Sequence, residues 1–335
     1  ILSVCLLFAF LQRFVFKEQV LPSFAVCLLF LTHPLHTEVV ANVKSRDEIL
    51  SLLFILLTMH MAFQFIQKQK LSALIWCGAC FFLALLSKEY AVILLALIPI
   101  CIYVYFPRMD RSNWVKLLGV LGAFFLVYYG LRSGVVQSLD ENSGAGNELL
   151  DNPFLLATES QTMATHLFIH LKYFLLLLFP FVMNSDYGYQ VIPYQSFSDA
   201  GTWIGGFLLL ALLVAALWAL RKKSWFTFPL WFALLTLLLV DNVFFNIGTT
   251  MGERLVYHTS LGTSILLVAG LHEGMKRLQL SSWAGLPILL LPLLIYYGYA
   301  TLHRNPDWKN NFTLTMADVQ THPTSATLNG NAFSL

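Results

Sequence analysis

Long apolar runs alternate with short polar joints along almost the whole chain. Runs at 1–12, 20–33, 49–66, 71–86, 90–106, 117–131, 166–183, 203–220, 225–241, 256–271 and 283–300 carry few charges. A helix rises ~1.5 Å per residue, so ~20 apolar residues cross a ~30 Å hydrocarbon core. The pattern predicts about 10–11 membrane helices, several of them short enough to borrow interfacial residues. The first run is too short to span alone, and it lacks a signal-peptide pattern. The chain is therefore expected to begin inside a transmembrane helix, with earlier residues missing. From 301 the chain turns polar. Asn305-Pro-Asp-Trp-Lys-Asn-Asn-Phe312 reads as a helix start, and Thr321-His-Pro-Thr-Ser-Ala326 as a break followed by a second start. The predicted architecture is an all-α polytopic membrane protein, with a transmembrane domain over 1–300 and a short helical region over 301–335.

Composition agrees with this pattern. Of 335 residues, 58% are hydrophobic and 11% charged, with a mean hydropathy of +0.70; soluble domains carry ~25% charged residues. A cytosolic enzyme, a nucleic-acid binder and a disordered chain are excluded. The net charge of +2 points to no partner. Cys77 and Cys80 form a CxxC, but within an apolar run they read as small helix-packing residues.

Basic clusters set the orientation. Arg13/Lys17, Lys68/Lys70, Arg108/Arg111/Lys116, Arg221/Lys222/Lys223 and Lys276/Arg277 are assigned to the cytoplasm. Three apolar runs lie between the third and fourth clusters, and an odd number of crossings cannot return to the same side. The run at 166–183 holds His166, His170, Lys172 and Pro180, and is expected to be a re-entrant or surface helix. Residues 132–202 then form one extracytoplasmic region; the alternative is that one basic cluster faces outward. The loop at 132–165 sets Arg132 against Asp140, Glu141, Glu148, Asp151 and Glu159, and Ser143-Gly-Ala-Gly-Asn147 reads as flexible. Asn311-Phe-Thr313 is a glycosylation sequon, meaningful only in a secretory organelle.

Charged side chains near membrane depth cost ~2.5–3.5 kcal/mol each and mark function or pairing. Here they group on one side. His33-Pro-Leu-His36-Thr-Glu38, followed by Lys44, Arg46, Asp47 and Glu48, suits a hydrogen-bonded turn, a metal site, or a substrate site with Arg46 on an anion and Glu38 on a hydroxyl. Lys88-Glu89 suits an ion pair closing a hairpin, or a phosphate contact with Glu89 holding the lysine. Glu253-Arg254-Leu-Val-Tyr257-His258 suits a structural pair or a guanidinium fork on phosphate. Asn184-Ser-Asp186-Tyr187-Gly-Tyr189, with Tyr194 and Phe197, suits an interfacial aromatic belt or sugar stacking. His166 and His170, spaced i, i+4, are a weak metal signal. Residue chemistry alone reaches a membrane protein handling an anionic lipid-linked substrate, or a channel or transporter with buried ion pairs.

The motifs HPLHTEVVANVKSRDEIL, LLSKEYAV, DNPF…SDYGYQVIPY and GERLVYHTSLG, in this order, resemble the transmembrane and tetratricopeptide-repeat-containing O-mannosyltransferases and their bacterial relatives. The tail from Trp308 resembles the entry into such repeats but holds at most one, so the C-terminus also looks cut. The resemblance implies a GT-C glycosyltransferase fold with its active site on the extracytoplasmic side of a bacterial cytoplasmic or endoplasmic reticulum membrane. The implied donor is a polyprenyl- or dolichyl-phosphate sugar, mannose by preference, and the implied acceptor a protein Ser or Thr hydroxyl. No metal or other cofactor is called for. Membrane lipid, the lipid-linked sugar and an acceptor protein are the expected partners, and nucleic acid is not.

In this family the catalytic Asp lies in the first outer loop, which the resemblance locates before Ile1. Glu38 is then the substitute base in the chain as given, which is otherwise expected to be inactive. Arg46, Lys88 and Arg254 are expected on the departing phosphate. Asp47, Glu89 and Glu253 would orient these bases or the acceptor, with Asp186 and Tyr257 on the substrate side and His33 and His36 positioning the loop. Two rivals stand beside this reading. A lipid-linked-sugar transporter or flippase would need a polar path, yet the middles of 49–66, 203–220 and 225–241 carry no charge. A noncatalytic repeat scaffold is disfavoured by the clustered outer charges.

Overall fold

The computed structural model describes residues 1–140, 152–189, 191–243, 247–279, 285–323 and 325–334. The Ser143–Asn147 stretch and the acids Glu141, Glu148 and Asp151 fall outside these residues. The described chain is helical, with no strand. It runs through α1 (Leu2–Phe10), α2 (Val20–Thr32), the short α3 (His36–Ala41), α4 (Arg46–Lys68), α5 (Leu71–Ser87) and α6 (Leu94–Tyr105). Then follow α7 (Arg111–Asp140), α8 (Glu159–Leu178), α9 (Ala200–Arg221), α10 (Thr227–Leu238), α11 (Tyr257–Arg277) and α12 (Leu286–Arg304). Two short helices, α13 (Asn311–Thr321) and α14 (Ala326–Phe333), complete the order.

Among the described residues, 5 helical stretches are long and apolar enough to cross a membrane: Val43–Lys68, Arg111–Val135, Ala200–Arg221, Arg254–Arg277 and Leu286–Lys309. Five shorter apolar stretches, including Leu71–Ser87 and Glu89–Tyr105, pack among them. The long stretches divide by burial. The α4 and α11 spans sit mostly inside, whereas those of α7, α9 and α12 present apolar side chains such as Leu126, Trp203, Phe207 and Ile295 outward. An apolar surface of that extent is what hydrocarbon covers. The chain is an all-α polytopic integral membrane protein.

Three expected boundaries move. The run read as 166–183 is helix over Glu159–Leu178: Thr158 and Gln161 form a reciprocal capping box at its start, and it stops ahead of Pro180 instead of being broken by it. The helix read as 117–131 continues to Asp140, since no proline interrupts Leu131–Asp140, so the expected loop from 132 opens as helix. The expected domain limit at 300 falls inside α12, and its last turn takes part in the contacts described below.

The helix ends sort to two ends of the bundle. At one, the Phe16 ring packs on Trp225 (6.0 Å between centroids), the Tyr105 hydroxyl donates to the Trp225 carbonyl (3.0 Å), and the Lys223 ammonium lies 4.5 Å over Tyr103. Helix order carries the basic clusters to this end. At the other, Thr301 donates to the Thr32 carbonyl (2.8 Å), His33 meets the Leu177 carbonyl (3.1 Å), and Arg132 pairs with Glu89. The last turn of α8 is tied there through Leu177.

Close backbone approach needs glycine at Gly262 of α11. A Cβ there would lie 2.8 Å from the Ala233 Cβ and 2.9 Å from the Pro229 carbonyl oxygen of α10. Gly262→Ala is expected to cost about 1–3 kcal/mol by overpacking. A thermal melt in detergent checks this; a midpoint equal to that of the unsubstituted chain would mean that the two helices separate freely.

Candidate functional site

The second end of the bundle carries a cavity of about 200 Å³. Glu38, Ser185, Asp186, Tyr187, Gly252 and Arg254 line it, from three regions far apart in sequence. Glu38 comes from α3. The turn before α3 is built by His33, whose Nδ1 accepts the Leu35 N–H (3.3 Å), leaving Nε2–H to donate to the Leu177 carbonyl. His36 Nε2 lies 2.8 Å from the Ser260 hydroxyl. Burial lowers both imidazoles, that of His33 to about 4, so both are neutral near pH 7. These rings join α3 to α8 and α11. Among the described residues no group of three His, Cys, Asp or Glu side chains is arranged to hold a metal ion.

Arg254 opens the 3₁₀ turn Arg254–Val256 that leads into α11. Its backbone N–H and its guanidinium each donate to Glu38 at 3.2 Å. Glu38 is 4% exposed and Arg254 35%, so the carboxylate is the floor of the site and the guanidinium reaches the opening. Burial pushes the Glu38 carboxyl up to about 7 against the opposing pull of Arg254. Its neighbour Glu253 points the other way. One Glu253 oxygen accepts the Asn184 N–H and the Tyr187 hydroxyl, and burial raises this carboxyl to about 8. Glu253 thus anchors the loop that brings Asp186 to the cavity. Asp186 is half-buried, and burial raises its pKa too.

The Lys88 group lies outside the cavity. Lys88 Nζ contacts Asp47 (2.8 Å) and Glu48 (3.1 Å), and the other Glu48 oxygen faces His258 Nδ1 at 3.3 Å. Tyr90 fits between, its ring 5.7 Å from the ammonium and edge-on to His258. Glu89 was expected to hold Lys88; it pairs instead with Arg132 at the surface. Lys88 is extended (φ −159°), which directs its side chain back to α4 while the 3₁₀ turn after it carries Glu89 outward. Arg46 is exposed and makes no side-chain hydrogen bond or ion pair with the described residues. Tyr257 is buried against His36 (4.6 Å between centroids) and shapes the α3 turn rather than the cavity. Tyr194 donates to the Pro153 carbonyl (2.6 Å), and Phe197 packs on Trp203.

Several polar residues of this end were given no role of their own by the sequence reading. Glu48 is wholly buried; its signal was its place beside Asp47 in the first turn of α4. Asp241 lies 3.5 Å from His170, supplying across the fold the carboxylate that the His166/His170 spacing lacks. Arg304 and Asp318 form a buried pair at 2.8 Å, to which no local pattern pointed.

Residues 1–129 match the family model described as dolichyl-phosphate-mannose-protein mannosyltransferase. Among curated proteins, a protein O-mannosyl-transferase of Caenorhabditis elegans is 26% identical over 316 residues, covering 92% of this chain and 42% of that one. Protein O-mannosyl-transferase TMTC3 of Mus musculus is 27% identical over 348 residues, covering 92% of this chain and 36% of that one. Protein O-mannosyl-transferase TMTC4 of Homo sapiens is 27% identical over 351 residues, covering 92% and 46%. The chain thus spans less than half the length of these relatives. No solved structure matches it. Over 92% of its length the chain is similar to curated protein O-mannosyl-transferases, and its first 129 residues match the model of the dolichyl-phosphate-mannose-protein mannosyltransferase family.

Proposed function

We propose that the chain belongs to a GT-C membrane glycosyltransferase that moves mannose from a dolichyl or polyprenyl phosphate to a protein Ser or Thr hydroxyl. The reaction takes place on the extracytoplasmic side, at the bundle end away from the basic clusters. One observation carries this reading: Glu38, Asp186 and Arg254 meet in a single cavity at the ends of apolar helices. A lipid phosphate needs an apolar surround and a cation at the surface, and Arg254 supplies the cation. The hydroxyl oxygen attacks the anomeric carbon, the carbon–oxygen bond to phosphate breaks, and the electron pair leaves on the phosphate. Arg254 stabilises that charge as it grows. The hydroxyl proton passes to Glu38, which the phosphate frees by drawing the guanidinium away. A carboxyl raised to about 7 is matched to base work near neutral pH.

The sign of the pH dependence follows. Below about 7 Glu38 holds a proton and cannot accept another. Turnover should therefore rise with pH through that value, and in Glu38→Gln the rise should vanish along with most activity. The test is transfer of mannose from polyprenyl-phosphate mannose to a Ser/Thr peptide by the purified chain, followed by mass spectrometry between pH 5 and 9. A pH profile unchanged by Glu38→Gln would remove Glu38 as the base. Failure of the chain to glycosylate any acceptor while binding the lipid would count against the transferase reading.

A further inference from the structure

The helix that follows α12 has no part in this chemistry, yet buried charge ties it to the cavity wall. Arg304, in the last turn of α12, donates to Asp318 of α13 (2.8 Å) and to Asp307 (3.1 Å). Asp318 is fully buried. Its other oxygen accepts the Ser185 N–H (3.1 Å) and the Ser185 hydroxyl. One turn on, the Asn184 side-chain amide donates to His322 Nδ1 (2.8 Å). Asn184 and Ser185 directly precede Asp186 and Tyr187, which wall the cavity. The Asn184 N–H also donates to Glu253, next to Arg254. The loop at 182–189 has no regular structure to hold it, so these side chains set its course. Neither Asp318 nor His322 lines the cavity itself.

We propose that Asp318 and His322 are positioning residues, which latch α13 onto Asn184 and Ser185 and so hold Asp186 and Tyr187 across the cavity from Arg254. This rests on the reading of the cavity as the substrate site. It deepens that reading, because it makes the region after the last span part of the site's geometry.

The test uses the whole chain in detergent or nanodiscs, with Asp318→Asn, Asp318→Glu and His322→Gln. Amide exchange at 184–187, affinity for polyprenyl phosphate, and kcat and KM for mannosyl transfer are read together. Asp318→Asn should speed exchange at Ser185 and weaken lipid affinity or kcat by about tenfold each, the loss of one charge-assisted contact. Exchange within α4 and α11 should be unchanged, and Asp318→Glu should restore part of both effects. Unchanged exchange at 184–187 would overturn the latch. Faster exchange with unchanged affinity and turnover would overturn its role in positioning. If Asp318→Asn does not fold, His322→Gln is judged by the same two criteria. If the unsubstituted chain transfers no mannose, that outcome counts against the proposed function, while exchange and affinity still decide the latch.

Discussion

Replacing Arg254 by alanine is expected to lower kcat/KM for mannosyl transfer by well over tenfold without unfolding the chain. A charge-assisted contact contributes ~1.5–3 kcal/mol, which corresponds to roughly 10- to 150-fold in rate. The guanidinium is the cavity's cation and reaches its opening. The substitution also removes the partner of a buried carboxylate. Glu38 is already pushed up to about 7 by burial, so on losing Arg254 it takes a proton near neutral pH and avoids standing as an unpaired charge. That is why catalysis should suffer more than stability. Arg254→Lys keeps the charge but loses the planar fork, and an intermediate rate is expected. Turnover of the alanine variant equal to that of the unsubstituted chain, at matched expression and melting temperature, would remove Arg254 from the site.

The helices were legible because membrane helices announce themselves by hydropathy. Runs read at 20–33, 49–66, 71–86 and 203–220 became α2, α4, α5 and α9 within a few residues at each end. The misjudged limits have local causes that hydropathy does not weigh. The start of α8 is set by the Thr158–Gln161 capping box in a polar stretch, and the end of α7 runs on through Arg132, Ser133 and Gln137, which are polar but helix-compatible.

The candidate site was partly legible. Glu38, Asp186, Glu253 and Arg254 stood out because acid and base near membrane depth demand a partner. Which partner each took was not readable. Adjacent residues point apart, so Lys88 and Glu89 could not satisfy each other, and each paired with a different helix. Arg46 stood out by charge but stayed at the surface, while Glu48, two residues on, turned inward. A helix turns by about 100° per residue, so two steps separate an outer face from an inner one. The Arg304–Asp318 pair depends on α13 folding back against the 184–187 loop, and no periodicity of either segment encodes that docking.

Glu48→Ala should be the most destabilising single substitution among the polar residues of this end. Glu48 lies between Lys88 of the α5–α6 joint and His258 of α11, with one carboxylate oxygen on each, and its side chain has no exposure to solvent. Breaking a buried pair on one side costs about 3–5 kcal/mol, because the remaining charge is left desolvated. Asp47 still reaches Lys88 at 2.8 Å, which places the loss toward the lower end of that range. By contrast, the Glu89–Arg132 pair is 61% and 41% exposed, so Glu89→Ala should change stability by no more than about 1 kcal/mol. The cost at Glu48 should shrink in the double variant Glu48→Leu with Lys88→Met, since removing both charges removes the desolvation penalty as well. Melting curves of the three variants in one detergent separate these expectations. A single Glu48→Ala chain as stable as the Glu89→Ala chain would mean that water reaches the Lys88–Glu48–His258 cluster, and that α4 and α11 are joined there by apolar packing alone.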